Sequence, residues 1–255
     1  MKILAIDTAT VSSSIAIGDE RGVVATIELP QGSKHAENLV PLIKELCSVH
    51  EFGLKEFAAV AVDVGPGLFT GLRVGISTAK ALGLALAIQV VPVSSLEVLF
   101  AGLNEMSDRA AVGAVDARRG EVFAASCDPP FGPRRRIEIT GPDLETPELL
   151  ARRIEIKLES GKVQLLGDGI TRYQEELTGQ PVIRDAIAAG ELVLRGAEHR
   201  HPSSSVLLQI ALNVFNSGGG IDPVKLEPLY LRKADVKIGW ETRFAGKPVL
   251  GGEVE

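Results

Sequence analysis

The sequence predicts an α/β protein built from two related lobes. Three observations lead there. First, an apolar run ending in Asp7 is followed by a polar turn and a second apolar run, Ser14-Ile15-Ala16-Ile17. Second, that unit returns as Gly113-Ala114-Val115-Asp116, a turn, and Val122-Phe123-Ala124-Ala125. Each copy closes on a further aspartate, Asp19 and Asp128, and such a match is the mark of an internal duplication. Third, short apolar runs of strand length alternate with segments of helical period, which implies sheets covered by helices.

The elements run in order along the chain. Residues 3–7, 13–17 and 23–29 read as a three-strand meander separated by Gly and Asp turns. A helix over 34–49 carries Leu39, Leu42, Ile43, Leu46 and Cys47 at helical spacing. Pro41 should kink it or mark its true start. Residues 57–64 are nearly all apolar, as a central strand covered on both faces requires. Gly65-Pro66-Gly67 is a sharp turn, and Thr70 is the expected N-cap of a helix to about residue 87. A strand at 89–93 precedes a short helix capped by Ser94 or Ser95. In the second half, the strand ending in Asp116 and its partner lead to a Pro/Arg-rich loop at 129–136. A helix at 147–158, a strand at 163–166 and a helix at 203–216 complete it. Residues 1–104 are assigned to a first lobe with its meander and two interface helices. Residues 105–235 form a second, degenerate lobe with its C-terminal helix, and 236–255 a mobile tail. A β-β-β-α-β-α-β order given twice is the ribonuclease-H-like arrangement of the actin-like ATPases, whose lobes flank a nucleotide cleft.

Composition narrows the function classes. The chain has 255 residues, enough for two lobes. Its two cysteines, Cys47 and Cys127, lie in apolar surroundings and read as buried thiols of a reducing cytosol. Asp7 interrupts the N-terminal apolar run, so there is no signal-peptide shape. The longest apolar stretch, 81–93, is too short to span a bilayer. A cytoplasmic protein without membrane contact is expected. The net charge of −6 argues against binding tRNA or DNA alone, because neutralised phosphates supply most of such affinity.

The twin aspartates are the first candidates for chemistry. After Asp7, Thr8 and the adjoining turn could receive phosphate oxygens while the carboxylate holds a hydrated Mg²⁺. The bland alternative is an Asp/Thr turn satisfying its own backbone. Asp116 is the matching candidate, but Ala117-Arg118-Arg119-Gly120 is not a glycine-rich turn, so any nucleotide site is incomplete. The Gly65-Pro66-Gly67 string lacks the Lys-Ser/Thr pair of a P-loop. His35 is followed four residues later by Leu39, which cannot ligate, so that helix carries no metal pair. No Ser/His/Asp pattern and no nucleophile elbow is present.

The helix after the Gly-Pro-Gly turn carries Gly71, Gly75, Ala79 and Gly83 at four-residue spacing. Each interior glycine costs about 1 kcal/mol relative to alanine, so another backbone must come close to that side. Packing on the chain's own elements and packing on a partner both meet the requirement.

These residues resemble the TsaB (YeaZ) family. The resemblance rests on Ile6-Asp7-Thr8-Ala9, on His35 with its helix, and on the string from Gly65-Pro66-Gly67 through Phe69-Thr70-Gly71-Leu72-Arg73 to Gly75. Val93-Ser94-Ser95-Leu96, Val115-Asp116-Ala117-Arg118 and Pro228 with Tyr230-Leu231-Arg232-Lys233-Ala234 extend it to about residue 235. It implies a non-catalytic subunit for formation of N6-threonylcarbamoyladenosine at tRNA position 37. The implied partners are the catalytic paralogue TsaD and the ATPase TsaE, with tRNA reached only through the complex. ATP or ADP with Mg²⁺ would sit at that complex. TsaD-type chains hold their metal with His-x-x-x-His, and Leu39 stands here in place of the second histidine. Docking through the first-lobe helices makes His35, Leu39, Leu42, Gly71, Arg73, Gly75, Ala79 and Gly83 the expected interface. A homodimer of the free chain is left open. The competing reading is a nucleotide-dependent enzyme, an ATPase or small-molecule kinase, with Asp7 and Asp116 holding the Mg-nucleotide.

Overall fold

The computed structural model describes residues 1–29, 35–135 and 137–232, and within α1 the side chains from residue 38 onward. The first lobe contains β1 (Lys2–Asp7), β2 (Ser13–Asp19), β3 (Gly22–Leu29), α1 (His35–Val49), β4 (Phe57–Asp63), α2 (Phe69–Leu86), β5 (Gln89–Val93) and α3 (Ser95–Ala101). The second contains β6 (Ala110–Arg118), β7 (Glu121–Cys127), β8 (Ile139–Glu145), α4 (Pro147–Glu159), β9 (Val163–Leu166), α5 (Asp168–Arg172), α6 (Gln174–Gly179), α7 (Pro181–Ala188), β10 (Leu192–Leu194) and α8 (Ser204–Asn216).

The duplication is visible in the sheets. The first runs β3-β2-β1-β4-β5 and the second β8-β7-β6-β9-β10, each with the same order of chain direction. The second sheet is therefore complete, contrary to the degenerate lobe expected. Its β8 and β10 have no clear signature in the sequence. Glycine and proline interrupt Ile139–Glu145, and Leu192–Leu194 is too short to show a period.

Alternation along β1 and β4 separates two cores. Leu4, Ile6, Val60 and Val62 face Leu39 of α1 and Leu72 and Ile76 of α2. Ile3, Ala5, Ala59 and Ala61 face Leu207, Leu208 and Ala211 of α8. Thus α8, assigned by sequence order to the second lobe, packs on the first-lobe sheet. Conversely, Leu96 and Phe100 of α3 pack with Val115 and Phe123 of the second sheet. These two helices form a shared layer between the sheets, so a lobe boundary at residue 104 does not divide the packing. On the far side, Val112, Ala114 and Val122 pack against Leu150 and Ile154 of α4.

The helix ends correct one further expectation. α2 starts at Phe69 behind an extended Leu68, so Thr70 lies inside the helix and does not cap it. Ser94 caps α3 by accepting the Glu97 amide, while Ser95 is turned inward. Pro41 lies within α1, well past its first residue. The tail expected at 236–255 and the side chain of His35 lie outside the described residues. Among the described residues no helix is long and apolar enough to cross a membrane.

Candidate functional site

β1 and β6, the central strands of the two sheets, each carry a candidate aspartate at or near their ends. Asp7 is 1% exposed. Its Oδ1 accepts the Ala9 amide at 3.0 Å, which is the self-satisfied turn of the bland alternative. Asp63, at the end of β4, is fully buried on the same face of the sheet. Its Oδ1 accepts the Gly65 amide and the Ser95 hydroxyl, both at 2.7 Å. Burial first, then the negative charge of Asp63, hold the Asp7 carboxyl well above the ordinary carboxylate range. Burial pushes Asp63 up to about 7. Two carboxyls in one buried pocket cannot both ionise cheaply, and a shared proton relieves the pair.

Thr8 is equally enclosed. Its hydroxyl donates to the Gly71 carbonyl at 2.8 Å. A Cβ on Gly71 would stand 2.0 Å from Thr8 O, and one on Gly75 would stand 2.3 Å from Thr8 Oγ1. On Gly83 it would meet Pro223 at 2.6 Å, and Ala79 is fully buried. The small-residue stripe therefore admits the chain's own β1–β2 turn and the residues around Pro223. That corrects its assignment to a partner interface. Leu39 is 2% exposed in the first core and Leu42 packs partly against it, so neither forms an open face. Of the expected interface side chains described, Arg73 is the one on the outer surface.

In the second lobe, Asp116 is gripped by its neighbours. Its Oδ1 accepts the Arg118 amide at 2.9 Å, and the guanidinium groups of Arg118 and Arg172 lie 3.3 and 3.6 Å from its oxygens. Asp168 accepts the Asp116 amide at 2.9 Å. Asp168 stands to β9 nearly as Asp63 stands to β4, although in the sequence it reads as part of a plain turn. Burial raises it to about 6. His201 Nδ1 lies 3.8 Å from Asp168 Oδ2, and burial lowers this imidazole to about 4. His199 and His201 thus lie in a half-buried junction.

Asp7 is enclosed, with its Oδ1 already on the Ala9 amide, and Asp116 already has two guanidinium groups beside it. The Leu68 amide, which could have met a phosphate, donates to Ala9 O at 2.7 Å. A cavity of about 100 Å³ at the carboxyl ends of β9 and β10, lined by Gly167, Thr171, Arg195 and His199, is smaller than nucleotide-sized pockets. Among the described residues no three His, Cys, Asp or Glu side chains are grouped to hold a metal ion.

Two sheets of identical order, each with an acid at or near the end of its central strand, and a shared helical layer define the two-lobed ribonuclease-H-like, actin-like fold. A family model described as TsaD, tRNA N6-adenosine threonylcarbamoyltransferase, matches residues 17–131. The tRNA threonylcarbamoyladenosine biosynthesis protein TsaB of Escherichia coli is 31% identical over 97% of this chain and 100% of its own length. That of Bacillus subtilis is 28% identical over 94% and 98%. The solved structure of YeaZ from Pseudomonas aeruginosa superposes with a TM-score of 0.72 at 26% identity, over 90% of this chain and 99% of that one. The chain belongs to the TsaB family.

Proposed function

We propose that this chain is a non-catalytic subunit for threonylcarbamoyladenosine formation on tRNA, binding and supporting a TsaD-type catalytic chain. The carrying observation is that both candidate acids are engaged within the chain, Asp7 by Asp63 and Asp116 by Arg118 and Arg172. What remains open is the outer face of α1 and α2. There Val40, Phe69 and Leu84 are 48%, 47% and 55% exposed, and the Arg73 guanidinium stacks on the Phe69 ring. Apolar anchors with an arginine are the side chains that carry docking energy. The matched TsaB relatives support the pathway, and the TsaD-type family match supports a paralogous partner. In this reading tRNA and a TsaE-type ATPase meet the chain in the assembled complex, and ATP or ADP with Mg²⁺ belongs to that complex. The chain itself acts in the cytoplasm.

The test is reconstitution with the TsaD-type chain of the same cell. Ser77→Arg on the outer face of α2 should abolish co-elution while leaving the circular dichroism of the free chain unchanged. Omitting the chain should remove modified adenosine from the product tRNA. Unaltered complex formation by Ser77→Arg and Phe69→Ala together would defeat the docking face. ATP turnover by the purified chain, lost in Asp7→Ala, would favour the nucleotide-dependent enzyme instead.

A further inference from the structure

We propose that residues 226–232 form a strap that locks the two lobes together across the ends of β1 and β6. The segment begins on the first lobe. Leu226 is buried in the α1–α2 core, and its carbonyl accepts Lys80 Nζ at 3.4 Å. The Leu229 amide donates to Val64 O at 2.8 Å, beside the Gly65 turn. Tyr230 packs its ring 5.6 Å from that of Phe69, and its hydroxyl receives Arg73 Nε at 3.3 Å. The segment then changes lobes. Leu231 packs against the core around Val115 and Phe123. Arg232 donates to Ala117 O at 3.0 Å and pairs with Glu121. Both belong to the β6–β7 hairpin around Asp116.

Three residues of extended chain span about 10 Å, so a short tether joins the Gly65 turn to the Asp116 hairpin. Its two anchorages differ in kind. The first-lobe end is a backbone bond plus buried apolar contact. The second-lobe end adds the Arg232 guanidinium, with its Ala117 and Glu121 partners, to the packing of Leu231. That hairpin is also strained: Arg118 and Arg119 have φ of 61° and 58°, a region costly for side chains other than glycine. A guanidinium on the Ala117 carbonyl and the Glu121 carboxylate holds both sides of the turn. Parting the lobes at this mouth, as entry of any ligand between the aspartate hairpins requires, must break the Arg232 anchorage.

The strap is testable whether or not the partner reading holds. Paired nitroxide labels at Ala81→Cys on α2 and Glu159→Cys at the end of α4 report the lobe separation. The full chain should give one narrow distance. Arg232→Ala should broaden and lengthen it, and should raise amide exchange at residues 117–121 about tenfold, the effect of losing one charged anchorage. Glu121→Gln, which keeps every strap residue, should give a smaller change in the same direction. Arg184→Ala, an exposed arginine on α7, is the control. Should Arg232→Ala fail to fold, Glu121→Gln decides. Unchanged distances and exchange in the folded variants overturn the strap.

Discussion

Thr8 and Gly71 lock the β1–β2 turn onto α2: the Thr8 hydroxyl donates to the Gly71 carbonyl, and the glycine leaves no Cβ in the path of Thr8 O. A methyl there would stand 2.0 Å from a backbone oxygen that no rotamer change can move. Gly71→Ala is therefore expected to cost about 1–3 kcal/mol, a Tm lower by about 3–10 °C, despite its better helix propensity. Thermal unfolding of the purified variant checks it. A neutral or stabilising result would mean that α2 and the turn separate easily.

The buried acid pair predicts an uncommon pH response. Asp63 titrates near 7 when folded, against an ordinary value of 3.8 when unfolded. Between these values the folded state holds more protons, so this pair's contribution falls as pH rises from about 4 to 7. His201 has the opposite sign. Its folded value near 4 lies below the ordinary 6.5, so its contribution falls as pH drops from 6.5. Asp63→Asn keeps an oxygen for Gly65 and Ser95 and removes the repulsion. It should raise stability at pH 8 by a few kcal/mol at most and flatten the alkaline side of the profile. Urea melts across pH 4–8 measure this; an unaltered profile would sink the shared-proton pair.

Arg153 fastens α4 to β8. It bonds Glu145 Oε1 and Asp143 Oδ2, the latter at 2.7 Å, and reaches the Thr140 carbonyl. Arg153→Ala would leave the Glu145 carboxylate, 9% exposed, without its cation. The expected loss is about 2–4 kcal/mol. Glu145→Gln in the same chain should recover part of it, which a double-mutant cycle would record as coupling. Strict additivity would count against the contact.

The thiols should be inert in the native chain. Burial raises Cys47, and it pushes Cys127 up to about 11 with the nearby Asp128 charge adding to it. Iodoacetamide at pH 8 should label neither Cys47 nor Cys127 natively and both in guanidinium, read by mass spectrometry. Rapid native labelling of either would contradict the burial.

How much of the site is legible in the sequence depends on the residue. Asp7 and Asp116 stand out because each closes an apolar run, and a strand's period survives in one dimension. Asp63 closes β4 in the same manner, yet it sits before the Gly65-Pro66-Gly67 string and reads only as the end of a central strand. Asp168 is hidden because β9 is four residues long and the short helix after it resembles a turn. The glycine stripe is recognisable as a close approach, but spacing cannot say which group approaches. Thr8 and Pro223, distant in sequence, answer that only in three dimensions.

The sequence by itself determined the doubled strand pattern, the family motifs and the missing ligand at Leu39, because alternation, turn chemistry and residue identity are local. The tertiary structure alone decided that α3 and α8 share the layer between the sheets, that Asp7 meets Asp63, and that Arg232 closes on the opposite lobe. Those facts depend on which surfaces bury one another, and burial, unlike periodicity, joins residues that are far apart along the chain.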